Sequence, residues 1–123
     1  MSRYQSFRDL KVWQAAKELA VSVYRITAGD AIARDFGLKD QMQRAGVSIA
    51  SNIAEGYERN SDKEFVRFLL IAKGSLSELR TQVDIALEIN YITREIYHEI
   101  EKKCDSLAAM LTKLISYRMN KNK

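Results

Sequence analysis

The chain has 123 residues, with 20 Lys and Arg against 16 Asp and Glu, a net charge of +4, no proline and five glycines. That length holds one hydrophobic core and not two, and the scarcity of helix breakers excludes strand-and-turn folds in favour of long helices. The lone cysteine, Cys104, rules out an internal disulfide and a Cys-x-x-Cys metal site.

The expected class is therefore all-α, as a single domain over residues 1–123. A first helix is predicted over about 7–27, with Leu10, Trp13, Ala16, Ala20, Val23 and Thr27 on one apolar stripe. Val12, Leu19 and Ile26 form a second stripe that widens this surface beyond what one seam requires. The segment AGDAIARDFG ends the helix through Gly29, and Asp35 is a cap or turn residue before the next one.

The second helix, about 38–59, carries Leu38, Met42, Ala45, Ile49, Ile53 and Gly56 on its core face. Ser61 and Glu64 then have capping-box spacing, which starts a third helix running to Ile89. Phe65, Leu69, Ala72, Leu76, Leu79, Val83 and Ala86 alternate in steps of four and three along it, the seam of antiparallel bundle packing. Asn90 suits a helix end and Thr93 a start. The fourth helix, about 93–119, repeats the seam with Ile96, Ile100, Cys104, Leu107, Leu111 and Leu114, which makes Cys104 a small core residue. Short connections between long helices give an antiparallel up-down-up-down four-helix bundle.

Helix two also carries a polar stripe: Gln41, Arg44, Ser48, Asn52 and Glu55 share one face. It reads either as a ligand surface or as a contact face, where Ala45, Gly46, Ala50, Ser51 and Ala54 admit another backbone and Asn52 sets register. The many small side chains favour the contact reading. Helix three offers a counterpart in Lys73, Gly74, Ser77, Glu78 and Thr81, with Arg67 and Arg80 near enough in the pattern to pair with Glu55 or Glu58. The predicted self-association face thus comprises Arg44, Ser48, Ser51, Asn52, Glu55, Gly74, Ser77 and Glu78, and the protein is expected to be a homo-oligomer.

Enzyme signatures are missing. No GxxxxGK[ST], GxGxxG, GxSxG or HExxH occurs. Glu95 and His98 make one Glu-x-x-His pair, but a di-iron bundle needs two such pairs and His98 is the single histidine. No catalytic residue, metal or cofactor is expected. No apolar run approaches the roughly 18 residues of a membrane span, and MSRYQSFRDLKVW lacks the apolar stretch of a secretion signal. The expected location is the cytoplasm.

Charge is unevenly spread. Residues 1–17 hold Arg3, Arg8, Lys11 and Lys17 against Asp9 alone, while residues 111–123 hold Lys113, Arg118, Lys121 and Lys123 against no acid. An up-down-up-down bundle brings both termini to one end, and a ring of subunits would repeat that basic pole around an axis, where it attracts nucleic-acid phosphate. Arg3, Arg8, Lys11, Lys113, Arg118, Lys121 and Lys123 are the candidate phosphate contacts. Tyr4, Phe7 and Tyr117 among them suit stacking on exposed bases. The alternative is a solvated tail whose lysines satisfy the last carbonyls of helix four.

FRDLKVWQAA at 7–16 and FGLKDQMQRAGVSIASNIAEGYERNSDKEFVRFLLIAKGSLSELRTQVDIALEINYI at 36–92 resemble the bacterial four-helix-bundle proteins, also called 23S ribosomal RNA intervening-sequence proteins. The resemblance implies an antiparallel bundle assembled as a ring-shaped homopentamer, with no enzymatic activity attached. Some members are encoded inside intervening sequences of 23S rRNA genes and many are encoded elsewhere. A more distant likeness is to the accessory variability determinant of diversity-generating retroelements, a pentameric barrel whose basic surface binds nucleic acid and a reverse transcriptase. The chain departs from the family pattern at 28–36, AGDAIARDF, where relatives often have a Phe-Pro turn. By this resemblance RNA or DNA binding is the favoured function. The other expectation is a scaffold that docks a partner protein through the wide apolar surface of helix one.

Overall fold

The computed structural model describes residues 6–121 and consists of four helices: α1 Lys11–Ile26, α2 Phe36–Glu58, α3 Asp62–Glu88 and α4 Arg94–Asn120. No strand occurs among the described residues. Each helix packs on the next and α4 closes back on α1. The helices run up and down in turn, and α3 and α4, at 27 residues each, extend about 40 Å at 1.5 Å per residue.

Local chemistry sets each boundary. Ser6 and Asp9 close a 3-10 turn over Phe7–Asp9: the Arg8 amide donates to Ser6 Oγ at 3.0 Å and the Ser6 amide to Asp9 Oδ2 at 3.2 Å. Leu10 is extended, so α1 begins at Lys11 rather than running unbroken from Phe7. In the 28–35 connection Ile32 is buried, and Asp35 caps α2 by accepting from the Leu38 amide at 3.1 Å. Its second oxygen accepts from the Tyr91 hydroxyl at 3.0 Å, tying the start of α2 to the α3–α4 turn. Ser61 accepts from the Glu64 amide, but the Glu64 carboxylate turns to Arg67 at 3.0 Å, so only half of the capping box forms. Asn90 takes φ 66°, and the Asn90 and Tyr91 amides donate to the Leu87 and Ala86 carbonyls, a Schellman closure of α3.

The α3 seam is buried as the heptads predict, and α4 follows its expected seam through Ile100, Cys104, Leu107 and Leu111, but Ile96 and Leu114 are only partly buried and Ile115 takes the last core position. Each such Leu contributes about 1.5–3 kcal/mol relative to exposure. On α1 and its C-cap the core face draws on both expected stripes, Ala16, Val23 and Thr27 from the first and Val12 and Leu19 from the second. Val12, Ala16, Leu19 and Val23 enter the core, while Trp13 is only partly buried and Tyr24 is exposed. Gly56, on the core face of α2, is a packing glycine: a Cβ there would lie 2.6 Å from Phe68 Cβ. Gly74 has no atom within 4 Å of where its Cβ would be.

Candidate nucleic-acid interface

The up-down order brings the Phe7–Asp9 turn, the α2–α3 turn and the last turns of α4 to one end, and an ion pair holds them there. Arg118 Nη1 is 2.7 Å from Asp62 Oδ1, the two side chains being 23% and 16% exposed, and the guanidinium lies over the Phe65 ring. Among the candidate phosphate contacts, Arg118 therefore has an intramolecular role. Arg3 and Lys123, together with Tyr4, lie outside the described residues.

The remaining candidates differ. Arg8 is exposed and rests over the Phe7 ring at 4.7 Å. Phe7 itself packs edge-on against Trp13, with ring centroids 5.2 Å apart, so it is occupied by an intramolecular partner. Lys11 and Lys113 are exposed, and no acidic side chain pairs with either among the described residues. Lys121 lies 6.0 Å from the Tyr117 ring, which is 60% exposed. Three acids of the nearby turn are matched, Glu55 by Arg59 at 2.9 Å, Glu64 by Arg67 and Asp62 by Arg118, while Glu58 is exposed without an ion pair among the described residues. The Arg67 guanidinium also holds the Glu64 carboxyl below its ordinary value. Lys11, Lys113 and Lys121 thus have no acidic partner among the described residues, and neither do Arg8 of the first turn and Lys63 at the start of α3.

Within the polar stripe of α2, Ser48 and Asn52 bond inside the subunit, whereas Gln41, Arg44 and Glu55 are exposed. Asn52 Nδ2 donates to the Ser48 carbonyl at 2.8 Å and to Ser48 Oγ at 3.0 Å, and Ser48 Oγ meets Ser75 Oγ of α3 at 2.9 Å. Arg44 pairs with Asp40, while Ser51, Gly74, Ser77 and Glu78 are exposed. The pairing expected between Arg67 or Arg80 and Glu55 or Glu58 does not form. Arg80 instead reaches across to Glu101 at 2.6 Å and Asp105 at 2.7 Å on α4, and these two carboxylates raise its pKa. Outside this stripe the face remains apolar in places, with Val47, Leu70 and Ile71 exposed.

The wide apolar surface expected on helix one is half of a groove whose other wall, on α2, sequence reasoning missed. Trp13, Ala20, Val21 and Tyr24 of α1 and Val47, Ala50 and Ala54 of α2 line an open apolar groove of about 640 Å³. Gly46 permits the close helix approach at its floor, where a Cβ would lie 3.4 Å from Ala20 Cα. The signal was present: Val12, Ala16, Leu19 and Val23 alone complete a charge-free seam, whereas Lys17 interrupts the stripe through Trp13 and Tyr24.

Among the described residues no three His, Cys, Asp or Glu side chains group to hold a metal. His98 is exposed, edge-on to Tyr97. Cys104 is buried, and burial pushes its thiol up to about 11. No helix of the described residues is long and apolar enough to cross a membrane.

An all-helical bundle with this site belongs to a definable class. The family model of 23S rRNA-intervening sequence proteins matches residues 8–113, and the chain belongs to that family. Among solved structures it is similar to a Bacteroides thetaiotaomicron protein of unknown function from the S23 ribosomal protein family, at 27% identity and TM-score 0.77. The similarity covers 85% of this chain and 97% of that one. The comparison with curated proteins finds no match.

Proposed function

We propose that this chain is a non-catalytic, self-associating protein that binds RNA or DNA through its basic pole in the cytoplasm. The observation that carries this reading is the set Lys11, Lys113 and Lys121, which stay unpaired among the described residues at one end while Arg59, Arg67 and Arg118 are matched to Glu55, Glu64 and Asp62. A family whose name ties it to ribosomal RNA gene insertions supports the same reading. Self-association rests on the apolar residues Val47, Leu70 and Ile71 left exposed around the small residues of α2 and α3, and the ring of five is the arrangement that the family resemblance implies. Such a ring multiplies three lysines into a continuous cationic rim, whose field draws in polyanions. Crosslinking in cells followed by sequencing of bound nucleic acid tests the reading, with Lys11→Ala/Lys113→Ala/Lys121→Ala as control. Specific fragments lost in the triple variant support it, and equal recovery from both contradicts it.

A second reading is favoured by the α1–α2 groove, whose apolar lining fits a helix of a partner protein. A single protein partner recovered after nuclease treatment, and lost on Tyr24→Glu, would favour this scaffold role.

A further inference from the structure

Next to the basic pole, α1 and α4 part to form an open cleft of about 500 Å³. Leu10, Val12, Met110 and Leu114 make its apolar floor, Lys11 and Lys113 stand on its rim, and Tyr117 closes one side. No acidic residue lines it. Lys121, one turn beyond Tyr117, hangs over the ring. Met110, Lys113, Leu114 and Tyr117 recur at intervals of three and four, so α4 presents them together. The Tyr117 ring and Met110 are exposed, and no aromatic partner covers Tyr117 among the described residues.

An apolar floor with an unstacked ring and a rim of unpaired ammonium groups is what an unpaired nucleotide requires. The base needs a flat apolar contact, and the phosphates on either side need cations. A duplex keeps its bases stacked inside and offers only phosphate, which would leave the floor and ring unused. We infer that this cleft binds single-stranded nucleic acid, one base stacking on Tyr117 over Met110 and Leu114 while Lys11, Lys113 and Lys121 hold the flanking phosphates. The inference rests on the nucleic-acid reading above and narrows it to strands with exposed bases.

The test uses the full chain and three labelled probes: an oligothymidylate about 12 nucleotides long, the same strand with abasic sites, and a duplex of equal length. Tyr117 is a surface residue, so Tyr117→Ala and Tyr117→Phe should both fold, which thermal melting verifies. Stacking on one aromatic side chain is worth roughly a five- to hundredfold change in affinity. Tyr117→Ala should lose that much on the thymidylate strand, Tyr117→Phe should retain affinity, and the duplex should hardly distinguish them. Abasic sites should weaken the wild-type protein and leave Tyr117→Ala unaffected. If all three probes bind with salt-sensitive affinity and Tyr117→Ala changes none of them, the cleft proposal falls while the nucleic-acid reading stands. If none binds, both fall. Two further results overturn the cleft proposal: Tyr117→Ala altering the oligomeric state with strand affinity unchanged, or an acidic amphipathic peptide filling the cleft where the strand does not.

Discussion

Arg118 and Asp62, 56 positions apart in sequence, meet at 2.7 Å in a partly buried ion pair that clamps the end of α4 to the start of α3. The guanidinium is also laid over Phe65, so it contributes to packing as well as charge. Removing it takes away one partner of a carboxylate that is only 16% exposed.

Arg118→Ala should therefore destabilise the bundle by about 1–3 kcal/mol, the range for a lost charge-assisted bond in partly desolvated surroundings. A shift of the urea midpoint at constant slope measures it. Lys121→Ala, beside it but unpaired with any acid, should change stability by less than about 0.5 kcal/mol.

Gly56 of α2 and Gly74 of α3 should respond in opposite directions. Gly56→Ala forces a Cβ to 2.6 Å from Phe68 and should cost about 1–3 kcal/mol through overpacking. Gly74→Ala meets open space within the subunit and should stabilise an isolated bundle by about 0.5–1 kcal/mol. If another subunit packs on Gly74, the same substitution should weaken assembly, and sedimentation velocity separates the two effects.

Alkali should unfold the protein before moderate acid does. Hydrogen bonds to Asp35 and Asp84 raise the pKa values of Tyr91 and Tyr97 above 10.0, and burial raises Cys104 from 9.0 to about 11. A group whose folded pKa is raised stabilises fully below its unfolded pKa and loses that contribution as pH climbs through the folded value. Melting temperature should thus fall from about pH 9 upward, and Tyr91→Phe should be less stable at neutral pH with a shallower alkaline decline. Differential scanning fluorimetry across pH 7–11 checks both. For the same reason Cys104 should resist thiol reagents at pH 8 until denaturant is added.

Self-association should depend on the apolar residues between the polar ones. Val47→Glu changes an exposed side chain and should leave the helical spectrum intact while shifting the particle from a multiple of 14.1 kDa toward a single chain. Multi-angle light scattering gives the mass directly.

How much of this was legible in the sequence follows from the range of the interactions. The α3 seam and the middle of the α4 seam were readable because burial repeats locally, whereas at the ends of α4 Ile96 and Leu114 are only partly buried and Ile115 is the core residue. Asp35, Ser61 and Thr93 were readable as caps because each acts on an amide three residues away. On α1 the periodicity was ambiguous, since both stripes are apolar and Trp13 counts as hydrophobic wherever it points. Ion pairs were the least legible. Arg80 chose Glu101 and Asp105 across the α3–α4 interface, and Arg118 chose Asp62, on geometry that exists only after the helices dock. Those choices decide which cations remain for a ligand, so the sequence named Lys11, Lys113 and Lys121 among seven candidates, and only the fold set Arg118 apart from them.

The central claim is that these three lysines bind nucleic-acid phosphate, and equilibrium titration of a labelled oligonucleotide across a tenfold range of salt tests it most directly. Affinity should fall by about 0.7 log unit per tenfold salt for each single-strand phosphate contacted, and Lys11→Ala/Lys113→Ala/Lys121→Ala should flatten that slope while melting like the wild type. A slope already flat in the wild type, or unchanged in the triple variant, would contradict the account.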